Sequence, residues 1–117
     1  MSEPSAELSA EDKKLVTLAR ATRARTGAAE GAAVRDTDGR TYAAATVDLP
    51  SLQISALGVC VAMAVASGSK GLEAAVVLTA APTVAAADLA AVREFGGADV
   101  VVHRGDIKGA IAETLST

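Results

Sequence analysis

Cysteine occurs once in these 117 residues and histidine once; tryptophan is absent, and Tyr42 and Phe95 are the only aromatics. A lone Cys60 excludes an internal disulfide and fits a reducing compartment. One Cys and one His cannot supply three nitrogen or sulfur ligands to a metal. Excess positive charge is missing too. With 11 basic and 14 acidic residues the net charge is −3, which argues against non-specific nucleic-acid binding. The N-terminal stretch MSEPSAELSAEDKK is polar and acidic, so no secretory signal is expected. The longest apolar run, Ile54 to Ala66, falls short of the ~18–20 residues needed to cross a bilayer. A soluble cytoplasmic protein without a membrane segment is the simplest expectation.

What is present is small and apolar. Half of the residues are hydrophobic, so a disordered chain is excluded. The length suits one domain, expected over 8–117, behind a flexible tail at 1–7. Its core has to be built from Ala, Val, Leu and Ile, which pack densely but bury little area each, so stability is expected to lean on assembly.

The order of elements follows from local signals. Ser9 is a suitable N-cap, with Glu11 and Asp12 in the first turn. Leu8, Leu15, Leu18, Ala19 and Thr22 keep a helical period, and Gly27 ends the helix. Gly31–Asp36 reads as a strand, Thr37-Asp38-Gly39 as a turn, and Arg40–Val47 as the return strand. Pro50 and Ser51 are expected to open a second helix, apolar all round from Ile54 to Ala66 and so buried on several sides. Ala74–Thr79 reads as a central strand, Ala85–Phe95 as a helix stopped by Gly96-Gly97, Asp99–His103 as a strand, and Ala110–Leu115 as a short final helix. Helices alternating with strands after one hairpin imply an α/β fold, with helices on the faces of a mixed sheet.

Several of these segments are spaced as in the small cytidine deaminases. That family carries a hairpin of the form V-G-A-A-L…D-G…N-V-E-N. Here Glu30-Gly31-Ala32-Ala33-Val34, Asp38-Gly39 and Thr46-Val47-Asp48-Leu49 stand in the same order. Leu57-Gly58-Val59 falls where the family has C-A-E, and Val84 to Asp88, before Arg93-Glu94-Phe95, falls where it has P-C-G-x-C. The chain resembles the cytidine deaminase-like family over roughly residues 12 to 105. The resemblance implies a three-layer α/β/α domain and a homo-oligomer, dimer or tetramer.

The resemblance also marks what is replaced. Zinc deaminases hold the metal with His or Cys plus two Cys, and a Glu carries the proton. Leu57 stands at the first-ligand position, Val59 at the proton carrier, and Ala85 and Asp88 at the two Cys positions. Neither a catalytic residue nor a metal or other cofactor is therefore expected. Thr46 and Asp48 take the places of the ribose-binding Asn and Glu and are the candidates for a relic ligand pocket. Other polar residues have ordinary readings: Cys60 as core filler, His103 as the end of a buried strand with no legible Ser or Cys partner for a general base, and Arg20, Arg23 and Arg25 as a solvated helix end.

The resulting expectation is a catalytically inactive deaminase-like protein with a structural, oligomeric or regulatory role and an unknown protein partner, without nucleic acid or membrane. Two alternatives remain: a nucleoside- or base-binding protein, and a zinc-independent enzyme reusing the pocket.

Overall fold

The computed structural model describes residues 8–117, so the tail expected at 1–7 lies outside the described residues. Helix α1 spans Ala10–Thr26. The Ser9 hydroxyl accepts from the Asp12 N–H at 3.1 Å, and Gly27, at φ 68°, donates its N–H to the Arg23 carbonyl. Leu15, Ala19 and Thr22 face the sheet; Leu18 lies off that stripe, 36% exposed. Gly31 permits the contact, because a Cβ there would run into the Ala19 carbonyl and the Arg23 side chain.

Strands β1 (Gly31–Asp36) and β2 (Thr41–Ala45) form the expected hairpin, turned at Gly39 with φ 86°. The return strand stops at Ala45, and a second small hairpin, β3 (Val47–Leu49) with β4 (Leu52–Ile54), follows. Pro50 and Ser51 form its turn and do not open a helix. The fixed φ of Pro suits a turn as well as a helix start, and Leu52-Gln53-Ile54 pairs back on Val47-Asp48-Leu49. Helix α2 (Ala56–Ala66) begins instead behind Ser55, whose hydroxyl accepts from the Gly58 N–H at 3.0 Å. Strand β5 (Leu72–Leu78), helix α3 (Ala86–Gly96) and strand β6 (Val101–Gly105) follow as expected, shifted by one or two residues.

The final helix expected at Ala110–Leu115 is strand β7, Ile111–Ser116. Asp106 folds the chain back: its carboxylate accepts from the N–H groups of Lys108 (2.9 Å) and Ala110 (3.1 Å), and Gly109 sits at φ 100°. A six-residue segment is too short to sustain a helix alone, whereas pairing with β6 satisfies its backbone.

The five-stranded sheet runs β2-β1-β5-β6-β7, with β5 and β6 parallel and the other pairs antiparallel. Leu15 and Ala19 of α1 cover one face, against Ala33, Ala74, Val76 and Leu78. On the other face α2 and α3 pack Leu57, Cys60, Val61 and Val92 against Ala32, Val34, Val77 and Val102. Neighbouring residues of β1 and β5 thus enter opposite cores, as the two-residue period of a strand requires. The result is the expected three-layer α/β/α arrangement with a mixed sheet. Among the described residues, no helix is long and apolar enough to cross a membrane.

Candidate functional site

The N-termini of α2 and α3 meet on one face of the sheet. Ser55, the N-cap of α2, donates its hydroxyl proton to Oδ1 of Asp88 in the first turn of α3, at 2.7 Å. The Ser55 hydroxyl oxygen also accepts the Gly58 N–H, so one side chain caps α2 and ties it to α3. Ala85, at the N-cap of α3, is exposed and has no side-chain bond to that helix. Leu57 is fully buried between α2 and the sheet, while Val59 is half-buried against the same core. Of the four positions singled out from the sequence, Asp88 alone carries a polar side chain.

Beside this junction lies a shallow depression lined by Glu30, Thr46, Asp48, Gln53 and Ser55. The structure therefore brings Thr46 and Asp48 next to Ser55, which joins the depression to the helix pair. The Thr46 hydroxyl already accepts the Glu30 N–H at 2.9 Å, and the Thr46 N–H bonds the Glu30 carbonyl at 3.2 Å. Asp48 is exposed on β3, opposite Gln53. Ser55 drew no notice in the sequence, although Ser just before an apolar helix is an N-cap signal; Pro50 offered a competing start.

Cys60 lies in the core under β2, its thiol 3.6 Å from the Tyr42 carbonyl. Burial pushes the thiol up to about 12, against a weaker opposing hydrogen bond from the Ala44 backbone. Such a thiol is not a nucleophile at neutral pH. Arg23 Nε donates to the Ala28 carbonyl at 2.9 Å, which helps to turn the chain after α1, and Arg20 and Arg25 are exposed. Gly97, at φ 80°, closes α3 by donating to the Arg93 carbonyl.

Two polar clusters escaped the sequence reading. Under α1, Asp12 receives Arg35 on Oδ1 (2.9 Å) and His103 Nε2 on Oδ2 (2.8 Å). His103 Nδ1 meets the Thr114 hydroxyl at 2.9 Å, and Arg35 Nε reaches Glu73 at 2.5 Å. Burial disfavours the Asp12 carboxylate, yet bonds from His103 and Arg35 outweigh it and hold its pKa below the usual value. The second cluster surrounds the buried Asp36, which accepts from Ser69 at 2.5 Å, Tyr42 at 3.1 Å, and the N–H groups of Asp38 and Arg40, each at 2.9 Å. The first cluster joins residues far apart in the chain, whereas the second is a local turn around Asp36, with Asp38, Arg40 and Tyr42 close by in sequence, to which only Ser69 comes from a distance. Among the described residues, no group of three His, Cys, Asp or Glu side chains is placed to hold a metal ion.

Comparison with known proteins agrees with this architecture. A family model described as cytidine deaminase-like matches residues 8–109. The fold is similar to a cytidine deaminase from Burkholderia pseudomallei, with a TM-score of 0.76, 22% identity, and coverage of 89% of this chain and 91% of that one. A cytidine deaminase from Mycobacterium leprae superposes with a TM-score of 0.70 at 20% identity, over 92% of this chain and 94% of that one. The enzyme from Mycobacterium tuberculosis gives 0.69 at 20% identity, over 80% and 85%. No curated protein sequence is a match. Identities this low speak for the shared fold alone, while the family match spans most of the chain. The chain belongs to the cytidine deaminase-like family.

Proposed function

We propose that this chain uses the cytidine deaminase-like scaffold without zinc-dependent deamination, as a homo-oligomeric cytoplasmic protein with a structural or regulatory binding role. Zinc in such deaminases takes three protein ligands and leaves a fourth position for the attacking water. The residues at the corresponding positions do not fit the ion: Leu57 is buried hydrocarbon, Ala85 has no donor atom, and Asp88 offers one carboxylate. The observation that carries the reading is the Ser55–Asp88 bond, which engages that carboxylate with the cap of α2. Val59, at the proton-carrier position, has no group that could move a proton.

Assembly is supported by the absence of charge from Pro50 through Ser69, although Ala62, Val65 and Ala66 of α2 face outward. A helix with apolar residues on its outer side finds a better environment against another protein surface than in water. The second reading, a nucleoside or base bound in the depression, draws on Asp48 and Gln53, because Thr46 is engaged by Glu30.

Metal analysis of purified protein, combined with an ultraviolet assay on cytidine and deoxycytidine, tests the main reading. We expect no stoichiometric zinc and no change in absorbance. Stoichiometric zinc with ammonia released from either substrate would overturn it. A nucleoside that raises the melting temperature in a concentration-dependent way would establish the second reading.

A further inference from the structure

We infer that the free edge of strand β2 is a docking surface for a second copy of this chain, the two β2 strands pairing antiparallel about a two-fold axis at Ala43. This inference rests on the homo-oligomer reading above and names its interface.

The direction of the backbone groups is fixed by two bonds at the ends of the β1–β2 ladder. Thr46 N–H bonds the Glu30 carbonyl at 3.2 Å, and Asp36 N–H bonds the Arg40 carbonyl at 2.8 Å. In an antiparallel pair the bonded partners alternate, so Tyr42 and Ala44 also point their N–H and C=O toward β1. Thr41, Ala43 and Ala45 then turn theirs to the outer edge, where the sheet ends among the described residues.

The two edges of the sheet differ in protection. β7 has a register shift against β6 and carries Glu113, held by Arg104 at 2.9 Å. A bulge and a charge are two ordinary defences of an edge strand. β2, Thr-Tyr-Ala-Ala-Ala, has no charge, no Pro and no shift against β1. An undefended edge pairs readily with another strand.

Self-pairing also suits the surroundings of β2. Centring on Ala43 sets Thr41 opposite Ala45 of the second copy, so small side chains meet across the axis. On one face α2 packs over β1 and β2. A new strand about 4.8 Å away brings the two α2 helices near the ~8–10 Å spacing of packed helices. Val59, Ala62 and Met63 then face their counterparts, and no like charges are forced together, since α2 carries none. On the other face Lys13 and Lys14 of α1 line a shallow depression with Thr41, and the axis at Ala43 keeps the two copies of Thr41 about 13 Å apart along the strands.

The test is molecular mass in solution, by light scattering or sedimentation, for the native chain, Thr41→Lys and Ala43→Pro. Thr41 is exposed, so its lysine variant keeps the monomer fold, which circular dichroism checks. Proline at Ala43 removes the central edge-facing N–H and is tolerated on an edge strand. We expect an even-numbered oligomer whose mass falls twofold in both variants. An oligomer of unchanged mass in Thr41→Lys would overturn the β2 interface and leave assembly standing. A monomeric native chain would overturn both.

Discussion

Ser55 and Asp88 join the N-termini of two helices through a single 2.7 Å hydrogen bond, although they stand 33 positions apart. The same Ser55 oxygen caps α2, so the two residues contribute unequally to stability. Ser55→Ala removes both the cap and the bridge and should lower stability by about 1–2 kcal/mol. Asp88→Ala removes the bridge alone, and the expected loss is about 0.5–1.5 kcal/mol. Urea unfolding of the two variants decides; an Asp88→Ala protein weaker than Ser55→Ala would contradict the capping role.

Asp36 links stability to pH. Burial opposes its charge, but the bonds from Ser69, the Arg40 and Asp38 N–H groups and Tyr42 outweigh it and hold its pKa below the ordinary value. A depressed native pKa gives stability that is fully present above the unfolded value, about 3.9, and lost as pH falls through the native value. Acid unfolding should therefore steepen below about pH 4. Asp36→Asn should flatten that profile and destabilise the protein at neutral pH, because an amide cannot accept every bond the carboxylate accepts. Unfolding midpoints measured between neutral pH and strong acid would show otherwise if the two profiles run parallel.

His103 should carry its proton on Nε2. That nitrogen faces the Asp12 carboxylate at 2.8 Å, and an ionised carboxylate only accepts. In the neutral ring, Nδ1 then accepts from the Thr114 hydroxyl. Nitrogen NMR of the ring reads the tautomer directly, and a proton on Nδ1 in the neutral form would refute the assignment. Asp12→Ala leaves Arg35 with Glu73 as its one remaining carboxylate and His103 without its acceptor, and should destabilise by about 1.5–3 kcal/mol.

Cys60 should ignore thiol reagents until the chain unfolds. It is fully buried and its thiol is pushed up to about 12. Labelling with a disulfide reagent at neutral pH should be slow in the native protein and fast in denaturant. Rapid native labelling would mean that α2 opens readily from the sheet.

Much of the fold was legible because its signals are local. The Asp38-Gly39 turn, the Ser9 cap, the Gly27 stop and the apolar run of β5 each depend on neighbouring residues. Two elements were misread for the same reason. Pro50 fits a turn as well as a helix start, and β3 pairing with β4 decides between them. Ala110–Leu115 has residues that suit a helix, yet β6 needs a partner on its open side, and the Asp106 turn delivers one. At the candidate site, the side chains at Leu57, Val59, Ala85 and Asp88 could be read in advance, and so could the scarcity of donor atoms.

The sequence by itself determined the layered α/β scaffold, the small-residue core and the inventory of groups able to bind or react, because periodicity, turn chemistry and composition belong to the chain. Only the tertiary structure decided that Asp88 answers Ser55, that His103 answers Asp12, and that among the described residues β2 stands at the edge of the sheet. Those relations join segments remote in sequence, and it is the packing of helices on a sheet that brings them within hydrogen-bond distance.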